Sequence, residues 1–217
     1  MSNGNNGGGL ALGCIKELQP ALVREGEDGI EALSVDIFLR NMKIRCCVGY
    51  GPQESDLIEK KEAFWKHLDE EVFAAKSVGA GFILQCDGNL WAGSGIIPND
   101  PKPQNRNGRF FHEFLQRNNL IVVNTLSICE GLVTRRRNKD GKLEESILDF
   151  FVVCQYVLPY VTQMVIDEDK QHILTNYHPA INSGKAIDSD HMTEYMDVNI
   201  KFGKLKRDRK HYKSEMK

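Results

Sequence analysis

None of the six cysteines (Cys14, Cys46, Cys47, Cys86, Cys129, Cys154) stands in Cys-x-x-Cys spacing, and most sit in apolar company. That pattern argues against a zinc site and for reduced core thiols. Long apolar runs are missing too, since none approaches the roughly 18 residues of a membrane-spanning helix. The opening Met1-Ser2-Asn3-Gly4-Asn5-Asn6-Gly7 lacks the charged and apolar regions of a secretion signal. The expectation is an intracellular protein, nuclear or cytoplasmic and not secreted, with no membrane partner. Neither sign of charge dominates: 28 Lys and Arg stand against 30 Asp and Glu, a formal net charge of −2 over 217 residues. No Gly-Lys-Ser/Thr follows Gly7-Gly8-Gly9, which excludes a phosphate loop.

What charge asymmetry exists lies at the end. From Lys201 to Lys217 there are eight Lys or Arg against Asp208 and Glu215. Such a tail suits a phosphate backbone or a solvated linker. With 41% hydrophobic and 27% charged residues the chain can build a real core. The organisation expected is a polar leader over 1–6, one domain over 7–202 and a basic tail over 203–217.

Local patterns give an alternation of strands and helices. Leu10 to Ile15 reads as a short strand, and Ile30–Leu39 with Met42–Tyr50 as a hairpin around Arg40-Asn41. A helix follows, with Asp56 as N-cap, Glu59 as its capping-box partner and Gly79 as its stop. Leu57, Phe64, Trp65, Leu68, Val72 and Ala75 give its apolar face. Gly81 to Asp87 is a strand, followed by a loop to Asn107. A second helix carries Phe110, Phe111, Phe114 and Leu115, and Leu120 to Asn124 is a buried strand. Val133–Arg137 and Ser146–Cys154 read as strands joined through Asn138-Lys139-Asp140-Gly141. A loop from Asn176 to Asp188 and a strand near Met192–Ile200 complete the chain. Mixed sheets with helices outside them are the fold class this order implies.

Four strand ends are polar: Tyr50-Gly51-Pro52, Asp87-Gly88-Asn89, Ser146-Ile147-Leu148-Asp149 and Ser189-Asp190-His191. In an extended strand Asp87 and Asn89 would share a face, where a carboxylate and an amide can orient a water and hold a phosphate oxygen. Asp149 ends an apolar stretch and needs a partner; His191 would satisfy it, and the carboxylate would fix the imidazole's tautomer and favour its cation. Arg135-Arg136-Arg137 would grip a nucleic-acid backbone or form a solvated strand end.

The order of these stretches resembles the endonuclease/exonuclease/phosphatase family, which includes deoxyribonuclease I and the apurinic/apyrimidinic endonucleases. That family carries Tyr-x-Pro, Gly-Asp-Phe-Asn, Ser-x-Ile-Asp and Ser-Asp-His in the same order. The branch most similar is the nuclease domain of non-long-terminal-repeat retrotransposons. The similarity to it extends to Gly7-Gly8-Gly9-Leu10-Ala11, Asn107-Gly108-Arg109-Phe110, Asn118 to Asn124, and Leu174-Thr175-Asn176-Tyr177-His178. The resemblance implies a deoxyribonuclease I-like fold, a two-sheet mixed β-sandwich flanked by helices, incomplete at the N-terminus. The family's early metal-site Asn and Glu have no counterpart here, and Gly88 stands where the family has Phe. It also implies DNA as substrate and partner, Mg2+ or Mn2+ as cofactor, and a fused or lost reverse transcriptase domain. Asp87 would deprotonate the attacking water, and Asn89 would hold that water or a phosphate oxygen. His191, aligned by Asp149, would stabilise phosphate charge, Asp190 would help to bind metal or to assist the leaving group, and Tyr50 would contact the phosphate. The expected function is metal-dependent DNA cleavage; the alternative is an inactive binding module of the same fold. Loss of early strands would leave an exposed sheet edge open to self-association.

Overall fold

Alternating apolar residues build the first hairpin, β2 (Ala32–Leu39) and β3 (Met42–Tyr50), which pair antiparallel with Leu39 opposite Met42. A computed structural model describes residues 10–14, 18, 20–27, 29–39, 42–98, 100, 102–169 and 190–200. Outside these residues lie the polar leader, the Arg40-Asn41 turn, Leu174 to His178, the loop to Asp188, Ser189 and the basic tail. β3 runs parallel to β4 (Gly81–Asp87), so the chain must cross over, and α1 (Ile58–Ser77) makes that crossing. β4 then pairs antiparallel with β9 (Asp149–Cys154). With β1 (Ala21–Glu25) and β5 (Leu120–Val122) these form a six-stranded sheet, ordered β1-β2-β3-β4-β9-β5.

Two cores lie on the two faces of this sheet. On one face α1 and α2 (Arg106–Asn118) bury Phe64, Trp65, Leu68, Val72, Phe111 and Phe114 against Leu84, Phe150 and Val152. Burial of each such side chain is worth about 1.5–3 kcal/mol. On the other face Phe151 and Val153 of β9 meet Met164 and Ile166 of β10 (Val161–Asp167). β10 is the centre of a three-stranded sheet between β11 (Thr193–Val198) and β6 (Cys129–Glu130). β9 is therefore apolar on both sides, which is why it reads as a continuous run rather than an alternation. The layers are helices, six-stranded sheet and three-stranded sheet, a mixed α/β sandwich as expected.

Four local expectations are corrected. Leu10 to Cys14 form no strand; the edge strand is β1, eleven residues on from Leu10 at its start. Asp56 is not the N-cap of α1: that position is Leu57, without a side-chain bond. The Asp56 carboxylate instead accepts from the Gln53 amide (2.7 Å), while buried Lys61 ties down the Glu54 and Asp56 carbonyls at 2.6 and 3.1 Å. The turn at Asp140-Gly141, with φ of 53° and 75°, joins β7 (Arg135–Lys139) to β8 (Lys142–Ser146), not to Ser146–Cys154. Its two-residue loop pairs Lys139 with Lys142 and brings Arg135 opposite Ser146, so β9 is free to enter the large sheet. The buried strand after α2 ends at Val122, and Val123–Thr125 form a single 3-10 turn.

Candidate active site

Three neighbouring strands end level with one another. Tyr50 on β3 is opposite Asp87 on β4, and Asp87 is opposite Asp149 on β9. Cross-strand partners point to the same face. Cys86 and Phe150, one residue away on β4 and β9, face the helices, so Asp87 and Asp149 face the second sheet, as Phe151 and Val153 do. The strand register thus sets two carboxylates side by side at the end of the sandwich.

His191 comes to them from far along the chain. Its backbone bridges to Arg135, the Arg136 amide donates to the Asp190 carbonyl (2.8 Å), and the Met192 amide donates to the Thr134 carbonyl (2.7 Å). Held so, its Nδ1 lies 2.9 Å from Asp149 Oδ2, and its Nε2 lies 3.9 Å from Asp87 Oδ2. The Asp149 hydrogen bond raises the imidazole's pKa against the opposing effect of burial, and the Asp149 and Asp87 charges add to it. Burial pushes the Asp87 carboxyl up to about 6, and the neighbouring Asp149 charge works in the same direction. The Asn89 amide, donating to Asp87 Oδ1 at 3.0 Å, works against that rise.

Buried polar side chains away from the four polar strand ends hold these groups in place. Thr134 is fully buried, and its Oγ1 accepts from the amides of Leu148 (2.8 Å) and Asp149 (3.1 Å). Asn124 bonds the Asp149 carbonyl and the Phe151 amide at 3.2 and 2.9 Å, extending the β5 edge past its last residue. Asn107, fully buried, donates to the carbonyls of Pro52 (3.1 Å) and Gly88 (2.8 Å) and accepts from Trp65 Nε1 (2.7 Å). It thereby locks the two loops that follow β3 and β4. These loops pass so closely that a Cβ on Gly51 would stand 2.5 Å from the Gly88 carbonyl oxygen. A side chain at Gly88 would meet Leu90 at 2.7 Å; buried Leu90 fills the space beside Phe150.

The remaining candidates divide. Asn89 does not continue the strand: β4 ends at Asp87, and Asn89 has φ of 45°, so the extended-strand argument for a shared face fails. Its Nδ2 donates to the Gly51 carbonyl (2.8 Å), and Gln53 reaches both its Oδ1 (3.3 Å) and the Tyr50 hydroxyl (2.9 Å). Tyr50 is partly exposed beside them. Asp190 pairs with Arg135, with Nε at 2.7 Å and Nη2 at 2.6 Å. Burial would raise its carboxyl, but the Arg135 hydrogen bond and charge outweigh it and hold the pKa low. Arg136 bonds Glu145 and Glu168, and Arg137 bonds Glu144. Arg135, Arg137 and Lys102 line a groove of about 480 Å³ that Glu54, Glu144 and Glu145 also line.

Among the described residues, Asp87, Asp149 and His191 form a cluster with the composition and spacing to hold a cation, their ligand atoms lying within 4.8 Å of one another. Asp190 is not among them. Two acids beside a half-buried imidazole suit a hard divalent ion better than a soft one. The cysteines are all free, and burial pushes the Cys46 and Cys47 thiols up to about 12, which disfavours the nucleophilic thiolate at those two positions. Among the described residues no helix is long and apolar enough to cross a membrane.

No protein-family model and no curated protein sequence matches the chain. Solved structures do. The endonuclease domain of TRAS1, a telomere-specific non-LTR retrotransposon, superposes with a TM-score of 0.55 at 18% identity, over 78% of this chain and 64% of that one. The AP endonuclease LMAP from Leishmania major gives 0.59 at 15% identity, over 86% and 63%. The 3′ phosphatase NExo from Neisseria, bound to a product DNA hairpin, gives 0.55 at 13% identity, over 80% and 67%. This chain thus spans under two thirds of the first of these structures. The mixed sheets, their helical layer and these superpositions together establish that the chain has the endonuclease/exonuclease/phosphatase fold.

Proposed function

We propose that the chain hydrolyses phosphodiester bonds in DNA by in-line attack of water at the Asp87–Asp149–His191 cluster. The observation that carries this reading is the Asp149–His191 hydrogen bond with Asp87 facing the imidazole's other nitrogen. In-line phosphodiester hydrolysis needs an activated water and compensation for charge spreading over the phosphate oxygens. Asp87, with a pKa near 6, is mostly ionised at neutral pH yet basic enough to take a water proton. His191, whose cationic form the Asp149 hydrogen bond favours, faces the negative charge on the phosphate. A magnesium or manganese ion held by Asp87 and Asp149 would polarise the phosphate oxygens and neutralise charge. Asn89 positions Asp87 through its backbone N–H and braces the Gly51 turn. Tyr50 and Gln53 present polar groups at the rim, and Asp190 orients Arg135 toward the groove. Arg135, Arg137 and Lys102 would contact the nucleic-acid backbone there.

The four ordered motifs and the TRAS1 likeness support a finer reading, the endonuclease of a retrotransposon. Bis(p-nitrophenyl) phosphate and p-nitrophenyl phosphate, offered with magnesium or manganese, test the reaction class. The reading expects diester turnover that is lost on chelation and in Asp87→Asn. Turnover of the monoester alone, or none of either, would overturn it.

A further inference from the structure

Glu194 takes no part in the chemistry above, and its setting is unusual. Along β11, Met192, Met196 and Val198 pack into the core between the two sheets, and Glu194 shares their face by strand alternation. Both of its carboxylate oxygens are buried, and among the described residues neither has a hydrogen-bond partner. On the facing sheet, Asp149 shares its side of β9 with Phe151 and Val153, which line the same core. Glu194 therefore looks across the sandwich toward the end of the large sheet where Asp149 and Asp87 stand. After burial, the charges of Asp149 and then Asp87 are what act on its carboxyl, raising it well above the ordinary value. A methionine or valine, as at the flanking inward positions, would fill this place without burying a polar group.

A buried carboxylate facing two others calls for a positive partner. A proton would remove the charge and still leave the oxygens without hydrogen bonds. A divalent cation takes several oxygen ligands and keeps some of its own water, so it can serve all three acids together. We propose that Glu194 is a further carboxylate of a divalent-cation site centred on Asp149 and Asp87, reaching the ion's bound water from the second sheet. The proposal rests on the cation-dependent reading of the preceding section and adds to it a carboxylate outside the four motifs.

Manganese binding by titration calorimetry, with thermal unfolding with and without the ion, separates the outcomes. Glu194→Gln should raise the melting temperature of the metal-free chain, because it removes a buried acid that burial and the Asp149 and Asp87 charges oppose. It should also weaken manganese binding tenfold or more, so that the metal-induced rise in melting temperature shrinks. Glu194→Met, which matches Met192 and Met196 in packing, should show the same pair of changes. A stabilised variant that binds manganese as tightly as the original chain would overturn the proposal and leave the cation reading standing. A chain that binds no manganese even with Glu194 in place would overturn both.

Discussion

Asp149 Oδ2 and His191 Nδ1 lie 2.9 Å apart although 42 positions separate the residues in sequence. The contact links the last strands of the chain to the centre of the large sheet, and it sets the charge state of the imidazole. Asp149→Asn keeps a group of the same shape and removes the charge. The His191 titration midpoint, followed by NMR, should fall toward the ordinary value of about 6.5. Diester hydrolysis should drop by about 10²–10⁴. An unmoved midpoint would contradict the role given to Asp149.

Asp87 ties activity to a loss of stability. Its carboxyl is raised from 3.8 in the unfolded chain to about 6 in the folded one. Folding is therefore favoured by this group fully below about pH 4, and the contribution is lost as pH rises through about 6. His191, also raised, favours folding below about pH 6.5 and loses that contribution as pH rises through its folded value. Asp87→Asn should accordingly stabilise the metal-free chain at pH 7 by about 2–3 kcal/mol and make little difference near pH 3.5. Urea unfolding at the two pH values checks this, and a variant less stable at pH 7 would refute it.

Thr134 is the point where the β7 entry, the approach to β9 and the His191 segment meet. Thr134→Val leaves the buried amides of Leu148 and Asp149 without their acceptor, at a cost of about 2–4 kcal/mol. Thr134→Ser restores the oxygen and should recover most of that stability, which equilibrium unfolding of the three chains would show. Hydrolysis by the Val variant should fall as well, because Asp149 loses its backbone anchor.

Asn107 acts on the site through two loops and no direct contact. Asn107→Ala strands the Pro52 and Gly88 carbonyls and Trp65 Nε1 in a dry interior, costing about 2–5 kcal/mol. Hydrogen exchange should speed up in residues 51–57 and 88–92 more than in β9. Uniform acceleration across the chain would instead mark a general loss of packing.

Much of this arrangement is legible in the residues. Phe64, Trp65, Leu68 and Val72 carry a helical period, and Gly81 to Asp87 ends an apolar run in an acid, so α1 and β4 declare themselves. The Asp149–His191 pairing is legible as well, because an acid at the end of an apolar strand requires a partner. β1 and β10 are less so: each acquires strand structure from a neighbour, β2 in one case and β11 in the other. The true partner of β7 is legible in principle, since a two-residue loop at Asp140-Gly141 fixes Lys142 opposite Lys139. Thr134 and Asn124 were not legible, because their value lies in amides that only tertiary contact brings near. Glu194 left a faint mark: an acid between Met192 and Met196, where the period-2 pattern asks for an apolar residue.

The most direct measurement is the nicking of supercoiled plasmid by the purified chain with magnesium, beside Asp87→Asn and His191→Ala. The expected result is conversion to the nicked circle that stops on chelation and falls by at least about 10²-fold in both variants. Equal nicking by all three chains, or none by the unaltered chain, would contradict it and leave the fold in the role of a binding module.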